Sequence, residues 1–196
     1  VIGLAYEEIE PEAMRAFLDE RPVVYPIAIL DPFAPPADFE TPKGLPMTYL
    51  IAPDGRVWVT NRADDSVTVH DPGTLEIVAT LPSAGFPIRV IFTPDGRHAL
   101  VTNARAATLS VFDASSHETV ATVALAEAGR DYRQTLLGEA ALPIGVIGDP
   151  RRPRVYVAIS GGNEVAVVDT VRWDVVDRWA TGNEPDALAI MPPAGE

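Results

Sequence analysis

Cysteine is absent from all 196 residues, which excludes disulfides, thiol nucleophiles, Cys-containing zinc sites and dithiol redox centres. Basic residues are scarce: 15 Lys and Arg stand against 28 Asp and Glu, for a formal charge of −13. That sign is the wrong electrostatic footprint for DNA, RNA or an anionic bilayer, so no nucleic-acid partner is expected. Long apolar runs are missing as well. The stretch 23–30 is broken by Pro26 and falls far short of the roughly 20 residues a membrane helix needs, so no membrane insertion is expected. The three histidines, His70, His98 and His117, have no metal-ligand spacing, and no metal site is assigned. No Gly-x-Ser-x-Gly elbow enrols Ser66, Ser110 or Ser160 in a triad, so no catalytic residue and no cofactor is assigned. What remains, 47% apolar and 22% charged, is the composition of a folded domain. The chain opens at Val1 without an initiator Met or a signal-like segment, as expected of a mature form or a fragment.

Internal repetition dominates the rest. Leu45-Pro46-Met47-Thr48-Tyr49-Leu50-Ile51-Ala52-Pro53-Asp54-Gly55-Arg56 returns as Phe86-Pro87-Ile88-Arg89-Val90-Ile91-Phe92-Thr93-Pro94-Asp95-Gly96-Arg97. Val59-Thr60-Asn61 returns as Val101-Thr102-Asn103, and Asp71 as Asp113. A third copy carries Pro143, Val157 and Asp169 at a constant offset from Pro87, Val101 and Asp113. Its larger offset is absorbed by one insertion near residues 126–141. A fourth copy starts at Pro185 and the sequence stops within it. Each copy holds four short strands separated by Pro-Asp-Gly or polar turns, with period-2 alternation in Thr108-Leu109-Ser110-Val111-Phe112. Four strands in about 42 residues is the spacing of a β-propeller blade.

On Val57-Trp58-Val59-Thr60-Asn61, Ala99-Leu100-Val101-Thr102-Asn103 and Val155-Tyr156-Val157-Ala158, each followed by a Val-rich strand ending in Asp, residues 46–196 resemble the YVTN-type β-propeller repeat proteins. Gly182-Asn183-Glu184-Pro185-Asp186-Ala187 is similar to that family's Gly-x-x-Pro-Asp-Gly element, with Ala187 in place of Gly. The fold expected is mainly β: about three four-stranded blades plus the first strand of another.

The first 45 residues follow a different rule. Val1 to Tyr6 reads as a strand, Pro11 opens a helix with Met14, Phe17 and Leu18 on one stripe, and 23–30 is a second strand. This β-α-β order resembles the C-terminal half of a TlpA-like thioredoxin-fold domain over residues 1–55, with Pro46 at that family's cis-proline position. The family's dithiol helix has no counterpart, so the segment is expected to be redox-inactive. The hairpin to about residue 58 fits both resemblances.

Long loops on rigid scaffolds carry function more often than strands do, and this singles out Arg130, Asp131, Tyr132 and Arg133 in the insertion as ligand-binding candidates. Asp64-Asp65 with Asn61, Gly161-Gly162-Asn163, the Arg151, Arg152 and Arg154 cluster, and Trp58, Trp173 and Trp179 read as turn, surface and packing residues. The expected function is a non-catalytic binding or scaffold propeller of the bacterial envelope, periplasmic or secreted as both resemblances imply, with a protein or small molecule as ligand. Unclosed blades imply self-association. Two alternatives stand beside it: the propeller portion of a haem- or quinone-linked oxidoreductase, or the remnant of a TlpA-like thiol-disulfide protein.

Overall fold

In a computed structural model of the chain, the residues described are 3–5, 10–20, 27–29, 49–51, 54–135 and 137–191. The chain divides into two compact units, Val1–Leu45 and Pro46–Glu196. In the first unit, strand β1 (Gly3–Ala5) pairs in parallel with β2 (Ile27–Ile29), and helix α1 (Pro11–Glu20) lies between them in sequence. A parallel pair needs a crossover, and Pro11 at the first helical position supplies a pre-set φ to begin it. On α1, Met14 and Leu18 are half-buried while Phe17 is exposed. Pro46 lies outside the described residues.

The second unit holds three antiparallel four-stranded sheets. They comprise β3 (Tyr49–Ile51), β4 (Val57–Asn61), β5 (Ser66–His70) and β6 (Ile77–Pro82); then β7 (Pro87–Phe92), β8 (His98–Asn103), β9 (Thr108–Asp113) and β10 (Thr119–Ala124). In the insertion, β11 (Gln134–Thr135) and β12 (Gly138–Glu139) form a small hairpin. The third sheet is β13 (Pro143–Gly148), β14 (Arg154–Ile159), β15 (Glu164–Asp169) and β16 (Asp174–Ala180). Every sheet is a simple meander, so the hairpin β3–β4 belongs to the first blade, with Leu50 opposite Trp58.

Cores lie between sheets. Trp58, Val67, Val69 and Leu81 of the first blade pack on Val90, Ala99, Val101 and Phe112 of the second. At the next seam the corresponding residues Leu100, Leu109, Val111 and Val123 pack on Val155, Val157 and Val168 of the third. The period-2 alternation of each middle strand gives it two apolar faces, one for each neighbouring blade. Trp58 is 0% exposed, with Phe92 at 5.7 Å in a T-shaped contact and Phe112 at 6.3 Å. Polar bonds cross the same seams in phase: the Thr60 hydroxyl donates to the Ile88 carbonyl at 3.1 Å, and the Thr102 hydroxyl to that of Ile144 at 2.9 Å.

Three turn positions per blade adopt left-handed backbone without glycine: Leu75, His117 and Trp173; Asp65, Ala107 and Asn163; and, before the first strand, Phe86, Leu142 and Glu184. At the first set an aspartate holds the turn. Asp71 Oδ1 accepts from the amides of Gly73 and Thr74, Asp113 Oδ1 from Ser115 and Ser116, and Asp169 Oδ1 from Val171 and Arg172. The strained residue is thus tied from its N-terminal side.

The fourth copy is where the expected and observed structures differ. Residues 185–190 repeat the sequence of β13, yet they join no sheet among the described residues.

Candidate functional site

Because each blade is a meander, its turns fall at two ends. One end carries the turns after the first and third strands; the other carries the turns after the second strands, the connections between blades, and therefore the insertion. The insertion lies against the third blade's 3-10 turn, Ser160–Gly162. Gly161 donates its amide to the Ala141 carbonyl at 2.9 Å and accepts from the Arg133 amide at 3.1 Å. A Cβ at Gly161 would stand 1.9 Å from the Ala140 carbonyl oxygen, so only glycine permits this approach.

Below the insertion lies Glu164, 5% exposed at the start of β15. Each of its carboxylate oxygens accepts from a different arginine: Oε2 from Arg130 at 2.6 Å and Oε1 from Arg178 at 2.5 Å. The second guanidinium nitrogen of each arginine is used as well. Arg130 donates to the Gly162 carbonyl at 2.8 Å and Arg178 to that of Leu125 at 2.8 Å. One buried carboxylate thus joins the start of the insertion, through Arg130, to the third blade, while Arg178 of that blade also holds the Leu125 carbonyl just before it. In the first two blades the same place holds a neutral cluster, in which Asn61 donates to Ser66 and Thr68, and Asn103 to Thr108 and Ser110. In the third blade Ile159 replaces the asparagine and Glu164 the hydroxyl residue. The hydrogen bond to Glu164 raises the Arg130 pKa further, against a smaller opposing effect of desolvation.

The four sequence candidates divide by role. Arg130 is an anchor. Tyr132 is half-buried; its hydroxyl accepts the Glu127 amide at 2.7 Å, and its ring lies 5.5 Å from the Arg130 guanidinium. Asp131 is exposed, and so is Arg133, which donates to Asn183 at 2.8 Å. Asn183 also accepts from Asn163, whose side chain in turn accepts the Glu184 amide at 2.9 Å. Arg133, Asn163 and Asn183 therefore line the same end as Asp131. Arg62 and Arg105 share that end, each lying over the Phe86 ring with its guanidinium carbon 5.2 Å and 4.5 Å from the centroid.

Sequence reasoning missed Glu164 and Arg178. The available signal was a glutamate opening the otherwise apolar strand Glu164-Val165-Ala166-Val167-Val168, where the other copies place Ser66 and Thr108. The remaining candidates have structural roles. Asp65 accepts the Phe86 amide at 2.8 Å, Asn163 is the left-handed residue closing the Gly161-Gly162 turn, and Arg154 pairs with Asp169. His98 packs edge-on against Trp173 at 5.2 Å, His117 meets Arg56, and His70 meets Thr68. Among the described residues no three His, Asp or Glu converge in a group suited to a metal.

Clefts among the described residues include one of about 530 Å³ and one of about 310 Å³. The larger opens at the opposite end of the blades, among Asp54, Arg97, His98 and Asp113. The smaller lies along the third blade between Tyr156, Trp179 and Leu188.

Comparison with known proteins agrees on architecture. The family model for YNCE-like β-propellers matches residues 47–134. A sequence search of curated proteins finds no match. Among solved structures, Kuenenia stuttgartiensis hydrazine synthase superposes with a TM-score of 0.59 at 24% identity, over 71% of this chain and 37% of that one. The dihydro-heme d1 dehydrogenase NirN, solved in complex with DHE, gives 0.54 at 16% identity over 77% and 31%. The WD40 repeats of RRP9 give 0.53 at 13% identity over 71% and 40%. The chain thus spans less than half the length of these neighbours. At these identities the likeness shows the fold, and the chain is an arc of β-propeller blades.

Proposed function

We propose that this chain is a binding module rather than a catalyst, and that its recognition surface is the end of the blades that carries the insertion. The carrying observation is the Glu164 junction: Arg130 of the insertion is fixed to a buried carboxylate of the third blade, itself braced by Arg178 of that blade, so the insertion's exposed residues Asp131 and Arg133 are presented in a pre-ordered loop. Pre-ordering removes much of the entropy cost that a mobile loop bears on binding. The ligand that fits is a protein or peptide. Arginines laid over aromatic rings are the chemistry of protein interfaces, and this end offers Arg62 and Arg105 over Phe86 beside Arg130 over Tyr132.

The N-terminal unit is read as a redox-inactive thioredoxin-like piece of TlpA type. Its parallel β1–β2 pair flanking a helix supports that reading, and the absence of cysteine removes the redox step. A periplasmic or secreted location goes with both resemblances.

The test is selection of a random peptide library against the purified chain. Selected peptides are expected to bind the wild type and to lose at least roughly tenfold in affinity against Arg133→Ala or Asp131→Ala. Peptides indifferent to both substitutions would contradict the assignment.

A further inference from the structure

Phe86, at the seam between the first and second blades, is held between two turns that each lay an arginine on its ring. From the first blade, Asp65 Oδ1 accepts the Phe86 amide at 2.8 Å, and the Asp65 carbonyl accepts that of Ser83 at 2.9 Å. From the second, the Phe86 carbonyl accepts the Ala104 amide at 3.0 Å, and the Gly85 carbonyl accepts those of Arg105 at 2.9 Å and Ala106 at 3.1 Å. The approach is close: a Cβ on Gly85, whose φ is 86°, would stand 2.2 Å from the Ala106 Cβ. The two turns thus fix where Arg62 and Arg105 leave the backbone, and both guanidinium carbons lie within 5.2 Å of one ring centroid.

Core packing does not require this arrangement. Leu142, which takes the place of Phe86 at the next seam, is 1% exposed, whereas Phe86 is half-buried and Arg105 is exposed. A guanidinium laid over a ring uses its face, and its N–H donors, which lie in the plane, stay available to a ligand. Among the described residues no carbonyl or carboxylate accepts from the Arg105 side chain. Asp65, on the Arg62 turn, already engages its Oδ1 with the Phe86 amide. Planar donors held in one orientation match a carboxylate, and the stacked ring lowers the rotamer entropy lost when one binds. A doubly charged phosphate is the poorer fit, because Asp64 and Asp65 share the Arg62 turn and the chain carries −13.

We propose that Arg105, sharing the Phe86 ring with Arg62, binds a carboxylate side chain of an acidic peptide segment. This contact point lies on the same end of the blades as the insertion and is separate from it. The long-range field works against such a ligand, since a chain of −13 repels an acidic peptide. A preference for glutamate over glutamine therefore has to come from donors in direct contact with the side chain.

The test titrates the isotopically labelled full chain, followed by NMR, with an acetylated, amidated hexapeptide of alternating leucine and glutamate and with its leucine-glutamine counterpart. The glutamate peptide should bind roughly tenfold tighter, shifting the Arg105 Nε–H signal and the amides of 104–106. Arg105→Ala should remove that preference and leave both peptides at the affinity of the glutamine one. Arg172→Ala makes the same charge change at an exposed residue of the opposite end and should leave the preference intact, as should Arg133→Ala in the insertion. Four results would overturn the proposal: equal affinity of the two peptides for the wild type, a preference that survives Arg105→Ala, a preference lost in Arg133→Ala, or no binding of the glutamate peptide at millimolar concentration by a folded chain. The third would move the acidic ligand to the insertion. None of the four decides the recognition surface proposed above, which stands on the response of library-selected peptides to Arg133→Ala and Asp131→Ala.

Discussion

The Arg56 guanidinium lies 3.1 Å from Nε2 of His117, across the seam between the first and second blades. Arginine only donates, so Nε2 accepts and the ring is neutral with its proton on Nδ1. The same ring meets Trp58 edge-on at 5.5 Å. Burial, then the Arg56 charge, lowers the His117 pKa, with Asp54 and Asp113 opposing. A histidine whose folded value is depressed contributes stability that is complete above its unfolded value, about 6.5, and is lost as pH falls through the folded value. The chain should therefore lose stability on acidification from about pH 7 to pH 5. His117→Gln keeps an acceptor for Arg56 and should flatten that decline in Tm; parallel pH profiles for the two proteins would contradict this.

At lower pH the turn aspartates take over. The amides of Arg172 and Val171, then the Arg154 side chain, hold Asp169 at about 2; the amides of Thr74 and Gly73 lower Asp71, and the Ser116 amide, then the Ser115 hydroxyl and amide, lower Asp113. Depressed carboxylates contribute stability above their unfolded value, near 4, and lose it as pH falls through the folded one. Thermal melts should decline between about pH 4 and pH 2, and Asp169→Asn should decline less steeply while being less stable at pH 7.

Leu75 carries a φ of 61° and is 51% exposed, so it bears left-handed strain with little burial in return. Leu75→Gly should raise stability by about 0.5–1 kcal/mol, the relief of strain exceeding the extra unfolded-state entropy. Leu75→Ala keeps the Cβ and should leave the urea midpoint nearly unchanged. A glycine variant less stable than the alanine one would show that the leucine side chain contributes packing there.

Glu164→Ala leaves Arg130 and Arg178 without their carboxylate, and should cost about 3 kcal/mol. The loss should concentrate in the insertion, seen as faster amide exchange across residues 127–135. Uniform acceleration over all three blades would instead place Glu164 in the general core.

Blade number, strand order and the position of the insertion were legible because repetition fixes them. Pro87, Val101 and Asp113 recur in phase as Pro143, Val157 and Asp169, and chance does not preserve several offsets at once. The left-handed residues were not legible, since Leu75, His117 and Trp173 lack the glycine that usually marks such backbone; tertiary contacts and an aspartate cap override preference there. Glu164 was hidden for a different reason: its partner Arg130 lies 34 positions away, and only the seam brings them together. Pro185-Asp186-Ala187-Leu188 continues the repeat in sequence, and among the described residues it pairs with no strand.

The central claim is that partners bind the insertion-bearing end of the blades. Differential hydrogen exchange on the chain, with and without a peptide selected from the library, tests it most directly. Protection confined to residues 127–135, 161–164 and 181–184 is the predicted result, and protection at the opposite turns, 95–97 and 113–116, would contradict it.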